Sequence, residues 1–219
     1  MLKLIILPLS LAIASPMSTA AYASDIHRID YEGFTVWVDC SRKAPTLFHY
    51  LAETDSGNFS RHSDYKIDPA FDVMCQPSSS ATFQSVIEED GIRYDVGHQV
   101  PANHLDGSEV GIGQTNYWTN LLPQTASMNR GAWLVTEEIV ECTRDEVSLN
   151  VWGGPIWGSD FEDDYFADSH GVRTPSSFWK VVIRTDNKEG IAWIIPNGHA
   201  PRSSLDDWLV SISLAERIT

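Results

Sequence analysis

The chain has 219 residues, of which 42% are hydrophobic and 21% are charged. This composition excludes a disordered chain and predicts one globular domain with a sizeable core. Fifteen basic residues against 30 acidic ones give a formal net charge of −15. A surface of this sign repels polyanions, which excludes nucleic-acid affinity through broad phosphate neutralisation and leaves only affinity through a local positive site.

The first 23 residues have the pattern of a secretory signal peptide. Lys3 precedes a short apolar run from Leu4 to Ala14, and small residues follow up to Ala23. The run is shorter than a membrane-spanning helix requires. The sequence therefore predicts cleavage after Ala23, a mature domain over residues 24–219 without a membrane anchor, and a secreted or periplasmic location.

Three cysteines accompany this predicted export, namely Cys40, Cys75 and Cys142. An oxidising compartment allows one disulfide and leaves one thiol over. The sequence does not by itself choose the pair. We favour Cys40 with Cys75, because both lie in the N-terminal part and Cys142 falls in an apolar helical stretch suited to a buried free thiol.

Short runs rich in β-branched and aromatic residues predict strands along much of the chain. A further strand-like segment ends in Asp95-Val96-Gly97-His98. Strands mixed with few helices, without regular alternation, predict an α+β domain with a mixed or antiparallel sheet core. The predicted strands cover residues 33–39, 46–51, 149–157, 179–184 and 191–195.

Two segments have the apolar spacing of helices. One covers residues 127–141, with Ser127 as its N-cap, and the other covers residues 205–218 at the end of the chain. Residues 55–80 and 158–177 are polar, lack a steady period and are predicted as long surface loops. Long loops of this kind tend to be functional or mobile.

His98 is the first candidate for chemistry. Hydrolysis of a phosphodiester needs a base for the attacking water, a cation for the developing charge and help for the leaving oxygen. Imidazole has the ordinary side-chain pKa best suited to accepting a proton near neutrality. A lone histidine is more often structural, so His98 becomes a candidate base only together with other groups.

An amide-rich segment supplies a candidate metal ligand. It runs over residues 115–124 and is followed by Met128-Asn129-Arg130-Gly131. A neutral Asn oxygen is acceptable to Mg²⁺ and leaves the charge of the ion largely uncancelled, which preserves its attraction for phosphate. Single Asn residues more often cap helices or bridge turns.

Helix geometry selects one acid after Asn129. Glu137 lies eight positions further on, about 12 Å along a helix axis, so direct coordination of the same ion is not expected. Around the axis Glu137 is about 80° from Asn129, whereas Glu138 is about 180° away. Glu137 is therefore the candidate that accepts hydrogen bonds from water around a metal.

Several linked motifs together resemble the DNA/RNA non-specific endonuclease family, which includes endonuclease G. They are Asp95 to Ala102, Asn120 to Gln124, and Met128 to Trp133 with Glu137, and the similarity continues through Gly154-Pro155-Ile156-Trp157 and residues 175–182. The resemblance covers the chain from about Phe34 to the C-terminus. It implies a ββα-metal (His-Me finger) core in which a histidine ends a strand and a ligand Asn lies on the facing helix.

The resemblance also implies roles for individual residues. His98 would be the general base, Asn129 the ligand of Mg²⁺, and Glu137 the acid that holds water around the metal; Mn²⁺ or another divalent cation stays open. Asn120 would support the active site, and Arg61, which Asp68-Pro69 follows, best matches an arginine that contacts the scissile phosphate. His104 matches a further position that supports the loop.

One departure from the family motif affects the predicted charge of the site. The motif usually has Arg where this chain has Val96, so a cation beside the base is missing. Arg93 or Arg130 could compensate. A shifted substrate preference or reduced activity is a consistent outcome.

Three functions follow from these observations. The first is a secreted, metal-dependent endonuclease that cleaves DNA and RNA with little sequence preference, since no base-reading module accompanies the site. The second is a nuclease-fold protein that has lost catalysis and serves as a binding module. The third is an exported sugar- or protein-binding β-rich domain, for which the eight tryptophans could line a groove. A homodimer stays open in each case.

Overall fold

The structure is a computed structural model that describes residues 25–77, 86–87, 91–159 and 165–218. The segment predicted as a signal peptide, with its cleavage site, lies outside these residues. In the part of the chain that is described, no helix is both long enough and apolar enough to cross a bilayer.

The described residues form two antiparallel sheets. In chain order the strands are β1 (Ile26–Tyr31), β2 (Phe34–Asp39), β3 (Ala44–Ala52), β4 (Val86–Ile87), β5 (Ile92–His98), β6 (Leu121–Thr125), β7 (Leu149–Ile156), β8 (Ser177–Arg184), β9 (Gly190–Pro196) and β10 (Leu209–Val210). The larger sheet has the order β1-β2-β3-β7-β8-β9-β10, and β4, β5 and β6 form the smaller one. Every neighbouring pair is antiparallel.

Short helices connect these strands. They are α1 (Glu109–Gln114), α2 (Ala126–Met128), α3 (Leu134–Arg144), α4 (Ala167–His170) and α5 (Ile212–Ile218), and a π-helical turn (Asn129–Trp133) joins α2 to α3. The order of strands and helices confirms the prediction of an α+β domain with an antiparallel sheet core.

The larger sheet separates two apolar clusters because successive residues of a strand point to opposite faces. In β8, Phe178 and Val182 lie in the main core, whereas Trp179 and Val181 pack in a second cluster on the other face. Lys180 occupies the same inward row as Phe178 and is fully buried.

The smaller sheet packs on the inner side of the larger one. Tyr94 and Val96 of β5 and Leu121 and Leu122 of β6 belong to the main core. The β5–β6 hairpin is therefore anchored by its apolar side chains, and its register places His98, the last residue of β5, opposite Leu121.

The predicted strands are confirmed, with small shifts at their ends, in β2, β3, β7, β8 and β9. The sequence analysis missed β1, whose residues are mostly exposed and therefore lack a clear apolar alternation. It also missed α4, which lies inside the loop predicted over residues 158–177.

The predicted helix over residues 127–141 is broken at Gly131. This glycine has φ −103° and ψ −118°, which are not helical values. The amide of Ala132 donates to the carbonyl oxygen of Ala200 at 2.9 Å, so the chain leaves the helical ladder here. A β-carbon on Gly131 would lie 2.2 Å from that same oxygen, which makes glycine necessary for the close approach.

The predicted N-cap and the predicted closing helix are both wrong in detail. Thr125, not Ser127, caps the helix, because its hydroxyl accepts from the amide of Met128. Ser127 instead accepts from the amide of Ala200 at 3.2 Å. Residues 205–218 hold the end of a 3₁₀ helix (Arg202–Trp208), then β10 and α5, because Leu209 and Val210 pair with β9.

Cys40 and Cys75 form a disulfide, which agrees with the pair that the sequence analysis favours. The prediction for the third cysteine is wrong, since Cys142 is exposed. It lies on the outer side of α3, where the apolar spacing of the sequence had indicated a buried position.

Candidate active site

His98 lies at the end of β5 in a tautomer that the surrounding hydrogen bonds define. The Nδ2 group of Asn116 donates to the carbonyl oxygens of His62, at 2.9 Å, and Asp64, at 3.2 Å. The Oδ1 atom of Asn116 is then the acceptor for Nε2 of His98, 2.9 Å away. Because Nε2 carries the proton, Nδ1 has the free lone pair.

The lone pair of Nδ1 faces Arg61. The guanidinium nitrogen of Arg61 lies 3.4 Å from Nδ1 of His98, a long contact. Burial lowers the pKa of His98 to about 4, the charge of Arg61 also lowers it, and the hydrogen bond to Asn116 raises it. His98 is therefore neutral at pH 7, as a general base must be before it accepts a proton.

Asn120 holds the backbone that follows His98. Its buried side chain accepts from the amide of Val100 and donates to the carbonyl oxygens of Val100 and Thr115, each at 2.9 Å. These contacts use both ends of the carboxamide inside the fold. Asn120 thus has the geometry of a support for the strand end rather than of a group that contacts substrate.

Asn129 lies beside the strand that ends in His98. It is the first residue of the π-helical turn, and its Nδ2 group donates to Oδ2 of Asp95 at 3.1 Å. Asp95 also accepts two hydrogen bonds from Arg130, at 2.7 and 2.6 Å. Because the Nδ2 end of the Asn129 carboxamide binds Asp95, the oxygen is the end that points away from Asp95.

Glu137 is partly buried on α3 and interacts with charges on both sides. Burial raises the pKa of Glu137, while Lys180, Arg61 and the indole of Trp133 lower it. Arg61 acts on both His98 and Glu137, which brings these three side chains into one region. The sequence analysis chose Glu137 over Glu138 on the assumption of an unbroken helix. That assumption is wrong, but Glu138 is indeed exposed to solvent.

Two arginines lie in this region of a strongly acidic chain, and one of them, Arg130, is paired with Asp95. Arg61 lies at His98, and Arg130 lies at Asp95 with 63% of its side chain exposed. Val96 is buried in the main core. Of the two cations that could compensate for the apolar residue at position 96, Arg130 contacts Asp95 on the strand that ends in His98.

His104 is a second buried histidine, behind the site. Its Nδ1 atom lies 2.7 Å from the Tyr50 hydroxyl, and its Nε2 atom lies 3.4 Å from a carboxylate oxygen of Glu141. Burial lowers the pKa of His104 to about 3, and the charges of Lys180 and Arg144 lower it further. His104 is thus a neutral support, as the resemblance implies for this position.

A buried neutral histidine makes stability depend on pH. Below pH 6.5 the unfolded chain binds a proton at His104 that the folded chain does not bind until about pH 3, so the free energy of unfolding falls as the pH falls through this window. We expect His104→Gln to reduce the loss of unfolding free energy between pH 7 and pH 4.5 by about 2 kcal/mol. Urea denaturation at the two pH values measures it.

The exposed residue His199 supplies the control for this prediction. His199→Gln should leave the difference between the two pH values unchanged, because its ring is exposed to solvent in both states. The prediction would be contradicted if the unfolding free energy of His104→Gln fell as much between pH 7 and pH 4.5 as that of the parent protein.

Asn116 and Asp95 are the residues that the sequence analysis did not select for the site. Asn116 lies in the amide-rich segment and Asp95 in the motif around His98, so both were visible, but nothing in the sequence distinguished them from their neighbours. Among the described residues, one cluster of His, Cys and Asp or Glu side chains has metal-ligand spacing, and it lies elsewhere, at Asp25, His27 and the disulfide-bonded Cys40.

Two antiparallel strands, the first of which ends in His98, are followed by a helical segment that carries Asn129, which is the arrangement that the resemblance implies for a ββα-metal core. A family model described as DNA/RNA non-specific endonuclease matches residues 14–219. The chain belongs to this family, which confirms the resemblance seen in the sequence. The match begins within the segment predicted as a signal peptide.

Individual relatives agree with this assignment. The chain is 31% identical over 157 residues to Nuclease C1 of Cunninghamella echinulata var. echinulata, covering 66% of this chain and 59% of the relative. It is 24% identical over 174 residues to the Nuclease of Serratia marcescens, covering 78% and 59%. The chain thus spans less than two thirds of the length of these relatives.

The fold is similar to that in a crystal structure of the EndoG/EndoGI complex. The TM-score is 0.71 at 19% sequence identity, and the similarity covers 88% of this chain and 83% of that chain. At this level of identity the similarity concerns the fold. The prediction of an α+β fold with an antiparallel sheet core is therefore confirmed, and this fold is consistent with a ββα-metal core.

Proposed function

We propose that this protein is a metal-dependent endonuclease that hydrolyses phosphodiester bonds of DNA and RNA with little sequence specificity. The observation that carries the proposal is the neutral His98, with its Nδ1 lone pair beside Arg61 and with Asn129 on the adjoining helical turn. Family membership supports the same reaction.

His98 and Arg61 account for the first half of the reaction. The Nδ1 atom of His98 accepts a proton from the attacking water, and Asn116 holds the ring in the tautomer that allows this. Arg61 binds a non-bridging oxygen of the scissile phosphate. The negative charge of the bound phosphate also offsets the charge of Arg61. Arg61 then lowers the pKa of His98 less, which makes the imidazole a stronger base in the complex than in the free protein.

The residues at Asn129 fit a divalent cation. Asp95 binds the Nδ2 group of Asn129, so that the carboxamide oxygen is the atom left for a hard ion such as Mg²⁺ or Mn²⁺. When bound, the ion stabilises the negative charge that develops on the phosphate and its leaving oxygen. Glu137 accepts hydrogen bonds at the edge of this site, and Asn120 keeps the end of β5 in place.

The location and assembly of the protein are also proposals. We propose a secreted or periplasmic enzyme, which the signal-peptide pattern and the Cys40–Cys75 disulfide support. DNA and RNA are its proposed substrates, and a homodimer is compatible with the fold. The positive charge of Arg61 provides local attraction that an acidic surface otherwise lacks, whereas Arg130 is paired with Asp95.

Incubation of the purified protein with supercoiled plasmid DNA, and separately with RNA, tests the proposal. We expect both substrates to be cut at internal positions in the presence of Mg²⁺ or Mn²⁺, and EDTA to stop the reaction. The acidic surface calls for a series of salt concentrations, because salt screens the repulsion. Intact plasmid and RNA at every salt and metal concentration would refute the proposed activity.

A catalytically impaired binding module is the second candidate. It is favoured by Val96, which is buried in the main core and places no charge next to His98. Metal binding separates the two functions. A protein that gains no thermal stability from Mg²⁺ or Mn²⁺, and that binds nucleic acid without cutting it, would be the binding module.

A further inference from the structure

Lys180 is a buried cation to which the proposed reaction assigns no role. Its side chain is directed inward from β8 and has no accessible surface. The Nζ atom donates to Oγ1 of Thr136 at 2.7 Å and lies 3.7 Å from the centroid of the Trp133 ring. Burial of an ammonium group is costly, so it persists only where nearby groups compensate its charge.

The two groups that bind Lys180 both precede Glu137 on the same helical segment. Thr136 precedes Glu137 directly, and Trp133 lies one turn earlier, where its indole also acts on the Glu137 carboxylate. Glu137 is the carboxylate that stabilises the charged form of Lys180, and Lys180 exerts the strongest favourable charge on Glu137. Lys180 thus binds the helical turn that carries Glu137, and its charge also favours the ionised carboxylate.

This arrangement differs from a surface ion pair in its rigidity. Lys180 is fixed by β8, which is paired on both sides by β7 and β9, and Thr136 is fully buried. A fixed ammonium that holds Thr136 and the Trp133 ring restricts how the helical turn carrying Glu137 can shift. The helix is broken at Gly131, so the position of Glu137 is not set by a continuous helix from Asn129.

We propose that Lys180 is a positioning residue, whose buried ammonium, bound by Thr136 and the Trp133 ring, fixes the helical turn that carries Glu137 to the metal site. The inference rests on the proposed function, because it assigns Glu137 to that site. Lys180 itself touches neither substrate nor metal. Its proposed effect on the reaction passes through the turn that carries Glu137.

Kinetics with a neutral lysine analogue test the proposal. We expect Lys180→Met to lower kcat for plasmid cleavage about tenfold or more and to raise the Mn²⁺ concentration at half-maximal rate by a similar factor, with KM for DNA unchanged. A purely structural lysine would lower stability without this change in metal dependence. Lys188→Met, the same substitution at an exposed lysine, is the matched control.

A double-variant comparison covers the case in which Lys180→Met does not fold. The pair Lys180→Met with Glu137→Gln should then be more stable than Lys180→Met alone, because the unpaired carboxylate has been removed. A double variant no more stable than the single one would overturn the proposal. So would a folded Lys180→Met with kcat and Mn²⁺ dependence within twofold of the parent protein.

Direct Mn²⁺ binding, followed by electron paramagnetic resonance on the full chain, separates this inference from the proposed activity. If the parent protein binds Mn²⁺ but cuts no nucleic acid, the proposed function fails, and weaker binding in Lys180→Met still supports the positioning role. If the parent cuts nucleic acid and Lys180→Met binds Mn²⁺ equally well, the positioning role fails and the proposed function stands.

Discussion

His98→Ala is expected to lower kcat/KM for plasmid cleavage by about a thousandfold or more. General-base catalysis contributes about 10²–10⁴ to such rates, and the Nδ1 atom of His98, whose lone pair faces Arg61, is the proposed base. The substitution removes that lone pair and leaves a space the size of the ring. Plasmid cleavage at saturating Mg²⁺, with far-ultraviolet circular dichroism to verify folding, measures the effect.

Two comparisons make this result specific to the base. Added imidazole should restore part of the activity of His98→Ala, because it can enter the space and accept the proton. Asn116→Ala should lower kcat/KM less, by about ten- to a hundredfold, since it removes the hydrogen bond that fixes the tautomer of His98 but keeps the ring. A folded His98→Ala that keeps more than about a tenth of the parent activity would be incompatible with the assigned base.

Candidate residues for the site could be named from the sequence because each lies in a short local pattern. His98 ends a strand with a turn after it, and Asn129 follows an amide-rich segment at the start of an apolar helix. Patterns of this kind depend on neighbours in the chain, which the sequence displays directly. The same holds for the strands of the large sheet, whose alternation is set by local burial.

The contacts that give these residues their chemistry could not be predicted in the same way. The tautomer of His98 depends on Asn116, and the orientation of Asn116 depends in turn on the carbonyl oxygens of His62 and Asp64. These residues come together only in the folded chain. A sequence pattern names candidate side chains but does not show which of their atoms remain unbound.

The break at Gly131 is a second feature beyond local pattern. The apolar spacing from residue 127 to residue 141 is that of one continuous helix, and an isolated glycine is tolerated in such a segment. The break results from the carbonyl oxygen of Ala200, which binds the amide of Ala132. As a consequence, distances along an ideal helix do not describe how Asn129 and Glu137 are related.

Lys180 shows how burial reverses the interpretation of a residue. In an apolar strand, a single lysine is expected at an exposed edge position, because its charge is costly to bury. Here the strand alternation places Lys180 in the inward row, where Thr136 and the Trp133 ring bind it. No signal in the sequence distinguishes this lysine from a solvated one.

Asn129→Ala is expected to abolish most of the metal binding of the protein, and with it the activity that depends on the metal. The substitution removes the carboxamide oxygen that is left free by the contact with Asp95, while Asp95 keeps both hydrogen bonds from Arg130. The fold should therefore survive. We expect cleavage to fall by about a hundredfold or more, because charge stabilisation by a bound ion is worth several kcal/mol.

Thermal unfolding measures the same loss without reference to activity. An ion that binds only the folded state raises stability by RT ln(1 + [L]/Kd), so millimolar Mn²⁺ should raise the Tm of the parent protein and leave that of Asn129→Ala almost unchanged. Asn187→Ala, on the exposed turn before β9, should respond to Mn²⁺ as the parent does. Equal stabilisation of Asn129→Ala and the parent would place the cation elsewhere. Asp95, which the sequence analysis did not select, would then be the next ligand to test by substitution, because its carboxylate contacts the amide of Asn129.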